Sequence, residues 1–371
     1  MTGALLVPDL ALEGWPSMDR YAAELAARVA GLEVAPEART MRGPRYLARY
    51  VRYPLALRRH RPALVHIADH SYAHCLSAFP GIPSAVSVHD LNPYRVLAGE
   101  AAGLRAAVRD AALRRVLAWL RRASHWIALS RFTAEECVRL LGLPGERVTV
   151  VHPGVGEAFF RAPAADAVAA LRKRWLGAFA RRPSRDAVIL LHVGNCSPRK
   201  NVEAALRALG VLRRGGLDAH LVQIGGRFGP SHRAATGSAE VLGCVLQEPS
   251  IPEEELVTAY RAADALVMPS RYEGFGLPVL EALAAGLPVV SSGAGGLAEA
   301  GGDAVLTAPA DDPEAIAAAL STLLGDRTLR ETLAGRGRER AGRLSWDATA
   351  AGVGAVYQRL AGAAAGARAP A

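Results

Sequence analysis

Short apolar runs alternate with amphipathic stretches along almost the whole chain. Ala4–Val7, Leu64–Ile67, Ala85–Val88, Trp126–Leu129 and Val148–Val151 read as buried strands in the first half. Val188–Val193, Ala219–Ile224, Val241–Leu246, Ala265–Met268, Pro288–Ser291 and Ala304–Thr307 do so in the second. Between them, Met18–Ala30, Arg45–Arg59, Leu104–Arg122 and Thr133–Leu141 repeat apolar side chains every three or four positions, as one face of a helix requires. Asp312–Leu324, Thr328–Arg343 and Trp346–Leu360 do the same ahead of an Ala/Gly/Pro-rich tail expected to fray. Strands alternating with helices in this way predict an α/β protein with doubly wound parallel sheets. The alternation breaks over Arg161–Ser184, so the pattern predicts two such domains in tandem, facing each other across a cleft. Ligands in open α/β sheets bind outside the carboxyl ends of the strands, which makes that cleft the expected site.

Length and composition agree with this reading. The 371 residues suit two domains, and a chain that is 51% hydrophobic and 21% charged buries a substantial core. The net charge of +9 is carried almost wholly by arginine: of 44 basic residues only Lys173 and Lys200 are lysines. Cys75, Cys137, Cys196 and Cys244 are isolated, with no spacing for a metal or a disulfide framework, which suits a reducing compartment. Met1–Leu12 lacks a basic leader and carries Asp9 inside its apolar run, and no stretch is long and apolar enough to span a membrane, so the expected location is cytoplasmic. No helix-turn-helix, zinc, RNP or OB signature is visible, which argues against nucleic acid as a partner. No GxGxxG follows the first strand of either half, which argues against a nicotinamide-dependent dehydrogenase.

Two loops carry the candidate chemistry. Met268-Pro269-Ser270 ends a buried strand, and Arg271-Tyr272-Glu273-Gly274-Phe275-Gly276 turns the chain into a helix starting near Leu277, with Pro278 in its first turn. Two glycines let backbone approach a ligand, and the helix N-terminus makes an anion site. Glu273 then stands on the loop and Glu281 inside the helix; two carboxylates beside an anion site call for partners such as sugar or ribose hydroxyls. The second loop, His192-Val193-Gly194-Asn195-Cys196-Ser197-Pro198-Arg199-Lys200-Asn201, repeats strand, glycine turn and helix start, and Lys200 adds a mobile positive charge suited to phosphate.

The string E-G-F-G-L-P-V-L-E, after M-P-S-R-Y and before A-L-A-A-G-L-P-V-V-S-S, resembles the E-x7-E region of retaining glycosyltransferases of GT-B architecture, in the large family 4. The resemblance implies two Rossmann-like domains. It implies that Glu273 contacts donor-sugar hydroxyls, that Glu281 binds the nucleotide ribose, and that backbone of Gly274, Phe275, Gly276 and Leu277 holds sugar and diphosphate. Lys200 matches the diphosphate-binding lysine. Many members carry an arginine directly after the glycine, where this chain has Asn195 beside Gly194, so Arg199 is the candidate second cation. His89, in Val86-Ser87-Val88-His89-Asp90-Leu91, matches a histidine that reaches the donor sugar, with Asp90 either orienting it or capping the next turn. Gly14 stands where relatives bring backbone to the donor phosphates, Gly295-Gly296-Leu297-Ala298-Glu299 resembles the last donor-loop segment, and Asp69 and His70 fall on the acceptor side. A metal reading of His66, His70 and His74 fails because His66 sits in a strand.

Together these expectations describe a retaining, metal-independent hexosyltransferase without a cofactor. It would use a nucleotide-diphosphate sugar, with GDP-mannose the first guess, and a glycan or lipid-linked acceptor of the kind used in bacterial surface-polysaccharide assembly. A GT-B sugar-nucleotide 2-epimerase and a non-catalytic sugar-nucleotide-binding subunit are the alternatives. Residues 1–165 would bind acceptor, 166–186 would be a linker, 187–345 would bind donor, and a helix at about 346–364 would pack back on the first domain. Arg39, Arg42, Arg45, Arg49, Arg52, Arg58, Arg59 and Arg61 fall in a window without acidic residues, and Tyr46, Tyr50 and Tyr53 share a helical face with Leu57. Such a segment, residues 39–61, reads either as a surface for anionic membrane or as a solvated face.

Overall fold

The structure is a computed structural model that describes residues 3–92, 94 and 104–366. Pro93 and the end of the tail expected to fray lie outside the described residues. The chain forms two compact units: Met1–Gly154 together with Trp346–Ala371, and Val155–Ser345.

Unit 1 is built on a six-stranded parallel sheet of β1 (Ala4–Val7), β2 (Leu32–Val34), β3 (Leu64–Ile67), β4 (Ser84–Val88), β5 (His125–Ala128) and β6 (Val148–Val150), in the order β2-β1-β3-β4-β5-β6. Unit 2 has β7 (Val188–Val193), β8 (Ala219–Ile224), β9 (Val245–Glu248), β10 (Ala265–Met268), β11 (Val289–Ser291) and β12 (Leu306–Thr307), in the order β12-β11-β10-β7-β8-β9. Every pairing is parallel. The central strands are buried on both faces, which is why they read in the sequence as unbroken apolar runs. Each sheet accordingly has a core cluster on either side.

The terminal helix Trp346–Gly366 belongs to unit 1. It packs Trp346, Ala350, Val353 and Val356 against Tyr21 and Leu25 of the helix Pro16–Arg28.

The structure corrects three expectations. Residues 166–186 are not a linker, and the first unit ends at Gly154 rather than 165. Ala165–Ala178 is a helix of unit 2 that buries Leu171 and Trp175 beside Phe159 and Tyr260; its alanine-rich composition is that of a good helix former. The run Val241–Leu246 is not one strand. Ser238 caps a helical turn, Ala239–Leu242, by accepting from the Val241 amide, and β9 begins only at Val245. The edge strand β2 was not expected, because three residues with Glu33 exposed at their centre carry almost no periodic signal.

Candidate active site

In unit 2 the chain winds outward from β7 in one direction and from β10 in the other, so the switch point lies between these neighbouring strands. The loops after β7 and β10 leave there together. Asn201, the one non-glycine residue in the left-handed region among the described residues, donates through Nδ2 to the carbonyls of Pro269 (3.0 Å) and Ala310 (2.7 Å). The Arg271 amide donates to the Arg199 carbonyl at 2.8 Å, closing the two loops on each other.

Lys200 turns inward and is only 7% exposed. Its Nζ lies 2.6 Å from Glu273 Oε1, the Arg199 guanidinium lies 3.0 Å from Oε2, and Ser270 Oγ donates to Oε1 at 2.8 Å. Burial pushes the Glu273 carboxyl up, but Lys200 and Arg199 outweigh it and hold the group below the ordinary glutamate range. A buried charge persists only when paired and hydrogen-bonded in this way. Two cations on one carboxylate leave the pocket net positive, which suits a diphosphate. His192, on β7, is kept neutral, its pKa lowered to about 3 by burial and by Lys200. Gly194 permits the close approach: its φ is 148°, and a Cβ there would sit 3.3 Å from Lys200 Cε.

The loop before the helix Leu277–Ala285 is backed by the Gly295-Gly296 segment. The Gly296 amide donates to the Glu273 carbonyl at 2.9 Å, and a Cβ on Gly296 would lie 2.2 Å from the Gly274 oxygen. Gly276 is left-handed, with φ 109°. Phe275 is buried in the core, and Leu277 opens the helix with Pro278 behind it, so the positive end of the helix dipole lies beside Glu273. Glu281 lies one helical turn deeper and is buried; Tyr260 Oη donates to its Oε2 at 2.8 Å.

The structure therefore brings Gly194, Arg199, Lys200, Glu273, Gly274, Phe275, Gly276 and Leu277 together at one switch point. Asn195 Oδ1 accepts from the Ser197 amide at 3.2 Å and closes its own turn, while Arg199, the candidate second cation, stands beside Lys200 on Glu273. Sequence reasoning missed Asn201, Ser270, Tyr260 and Gln223, whose Nε2 donates to the Gly194 carbonyl at 2.7 Å. Of these only Asn201, directly after Lys200 at a helix start, left a local signal.

In unit 1 the switch point lies between β1 and β3. Gly14, with φ 65°, ends the short turn Ala11–Glu13 after β1. His89 follows β4, where its Nε2 lies 2.8 Å from the Ala68 carbonyl and therefore carries the proton, leaving Nδ1 as an acceptor. Burial lowers the His89 pKa although Asp69 opposes it. Asp90 caps the next turn, accepting from the Asn92 amide at 3.0 Å. Asp69 accepts from the Ser71 amide at 2.5 Å and stands 3.5 Å from His70 Nδ1; against its burial, His70, His89 and Ser71 keep the carboxyl below its usual range.

Sequence reasoning also missed that the Glu13 side chain is buried between Arg45 at 2.6 Å and Arg49 at 3.0 Å, with a second Arg49 guanidinium bond to the Ser71 carbonyl at 2.8 Å. His66 bonds Tyr357 and Ser87, and His74 bonds the Arg49 carbonyl, so the histidines do not converge. Among the described residues no group of three or more His, Cys, Asp or Glu side chains is placed to hold a metal ion.

Two Rossmann-like units, one presenting a buried Lys–Glu pair with Arg199 beside it, have the GT-B architecture. Residues 12–159 match the family described as Glycosyltransferase Family 4, and residues 187–326 match Glycosyl transferases group 1. The chain belongs to this glycosyltransferase family.

It is 38% identical over 247 residues to the D-inositol 3-phosphate glycosyltransferase of Thermobispora bispora, covering 63% of this chain and 56% of that protein. It is 31% identical over 229 residues to the O-antigen chain mannosyltransferase B of Escherichia coli, covering 60% of this chain and 57% of that one. The chain thus spans little more than half the length of these curated relatives. Among solved structures, the sucrose-phosphate synthase of Thermosynechococcus elongatus superposes with a TM-score of 0.76 at 22% identity, covering 98% of this chain and 100% of that one.

Proposed function

We propose that the protein transfers a hexosyl group, with retention and without a metal ion, from a nucleotide-diphosphate sugar to a glycan or lipid-linked acceptor. The observation that carries this reading is the buried Lys200–Glu273–Arg199 network at the switch point of unit 2. Lys200, Arg199 and the helix N-terminus at Leu277 take the diphosphate, Glu273 orients a sugar hydroxyl, and Glu281 reaches the ribose by exchanging its Tyr260 bond. Gly14 and His89 are the donor contacts that the family resemblance assigns to unit 1. In the reaction the bond from the anomeric carbon to the diphosphate breaks, the acceptor oxygen bonds that carbon, and the acceptor proton passes to the departing phosphate. Preorganised donors of this kind are each worth about 10²–10³ in turnover.

GDP-mannose is the first donor to test, a choice supported by the relative described as an O-antigen chain mannosyltransferase. Calorimetry against a panel of sugar nucleotides, followed by NMR of the product anomer with and without chelator, tests the reading. Lys200→Ala and Glu273→Ala should each lose at least a hundredfold in turnover. Near-wild-type rates in either variant, or conversion of the donor to its 2-epimer without acceptor, would refute it.

We further propose that residues 45–59 rest on an anionic membrane surface. No helix among the described residues is long and apolar enough to cross a membrane. The exposed face is not the expected one: Tyr53 and Leu57 are core residues and Arg49 is buried, whereas Tyr46, Leu47, Val51 and Leu55 are exposed beside Arg52 and Arg58. Co-sedimentation with phosphatidylserine vesicles at low salt should fall several-fold in a Tyr46→Ser, Leu55→Ser variant; no sedimentation of the wild type sinks the idea.

A further inference from the structure

A second group of polar side chains stands at the switch point of unit 1. β1 and β3 pair in register from Ala4↔Leu64 to Val7↔Ile67, and the same register carried two residues on sets Asp9 beside Asp69. Asp9 is 5% exposed, yet neither carboxyl oxygen has a hydrogen-bond partner among the described residues. His70 is equally buried and neither ring nitrogen is hydrogen-bonded; Tyr94, its ring 5.8 Å from that of His70, has an unpartnered hydroxyl. Folding seldom leaves several buried polar groups unsatisfied in one place unless something else satisfies them. Burial and Asp69 push the Asp9 carboxyl well up against the pull of Arg49, which favours a partner that can donate to its oxygens or accept from them over a second charge.

The chemistry of these groups is that of a polyol partner. A carboxyl group, a phenol and an imidazole each pair with hydroxyls, which donate and accept in turn. Fixed charge is a poor match. Asp69 is held ionised beside Asp9, and the two terminal nitrogens of Arg49 are taken by Glu13 and the Ser71 carbonyl. A phosphate monoester on the ring would be set against the Asp69 carboxylate.

We propose that Asp9, His70 and Tyr94 seat an uncharged polyhydroxylated ring, the sugar or cyclitol end of the acceptor, and select it over the same ring bearing a phosphate. The inference rests on the glycosyl-transfer reading and narrows its acceptor.

The test uses the full chain, with methyl α-mannopyranoside and myo-inositol as neutral probes and mannose 6-phosphate and myo-inositol 1-phosphate as charged ones, by saturation-transfer NMR and calorimetry. At least one neutral ring should bind tenfold or more tightly than its phosphate. Asp9→Ala and Tyr94→Phe should each cost that ring about tenfold while leaving sugar-nucleotide affinity unchanged. A group buried only for structural reasons would not show this pattern. Removing the unpartnered carboxyl should not lower the melting temperature, and Tyr94→Phe deletes one oxygen without changing shape, so it keeps the test decisive if the alanine variant misfolds. Phosphates binding as tightly as the neutral rings, neutral rings that do not bind, or unchanged affinity in both variants would overturn the proposal. Intact ring selection in a protein that binds no sugar nucleotide would refute the transfer reading instead.

Discussion

The charge of Glu273 is set by Lys200 and Arg199 rather than by its burial, and this makes its contribution to stability pH-dependent. Its folded pKa lies below the unfolded value of about 4.3. The stabilisation is therefore fully present above that value and is lost as pH falls through the lower folded one. Glu273→Gln leaves Lys200 buried without its partner, which should cost about 3–5 kcal/mol at neutral pH and flatten the acid limb of a melting-temperature profile below about pH 4. An unchanged profile would mean the pair is not formed in solution. This pair was legible because both residues sit in motifs whose spacing implies a phosphate loop. The Tyr260–Glu281 bond was not, since 21 residues separate the partners and neither carries a local sign of the other. Asp9 and Glu13 were hidden for a related reason: an acid just past a strand looks like a solvated loop residue until β3 and the following turn close over it.

Among elements, the Gly295-Gly296 segment is the one whose shape the donor loop depends on. A methyl group at residue 296 would collide with the backbone at Gly274 and Phe275, not with a movable side chain. Gly296→Ala should thus lower stability by about 1–3 kcal/mol through overpacking and weaken nucleotide-sugar binding at least tenfold, read by thermal denaturation and calorimetry. Normal donor affinity in a folded variant would show that the loop tolerates the shift. Strand existence was legible almost throughout, because buried parallel strands are apolar on both faces. The faces of the helical stretch Arg45–Leu57 were not. Its middle, Ala48–Arg52, is π-helical, and the wider turn moves Val51 and Leu55 outward while Tyr53 and Leu57 go to the core, a rotation that a 3.6-residue period does not anticipate.

For the whole molecule, buried histidines govern the response to mild acid. His66 and His192 are held to about 3 and His74 and His125 to about 4, chiefly by burial. Their folded values lie below the unfolded value of about 6.5, so the unfolded chain binds the protons and stability falls as pH drops from there toward the folded values. Unfolding at pH 5 should take up roughly four protons from these groups, measurable by calorimetry in buffers of different ionisation enthalpy; a melting temperature that is flat from pH 7 to 5 would contradict it. The two-sheet plan was legible from the alternation of runs and stretches. The true crossing point at Gly154 was not, because the Ala-rich helix that follows resembles a linker in composition alone. Trp346–Gly366 gives this division an order in time. Domains generally fold during synthesis as they emerge, yet unit 1 waits for Val353 and Val356, which cover Tyr21 and Leu25, and for Tyr357, which bonds His66. Until residues 346–357 are made, Tyr21 and Leu25 lack the side chains that cover them, so a chain cut before Trp346 should expose that apolar face and lose solubility.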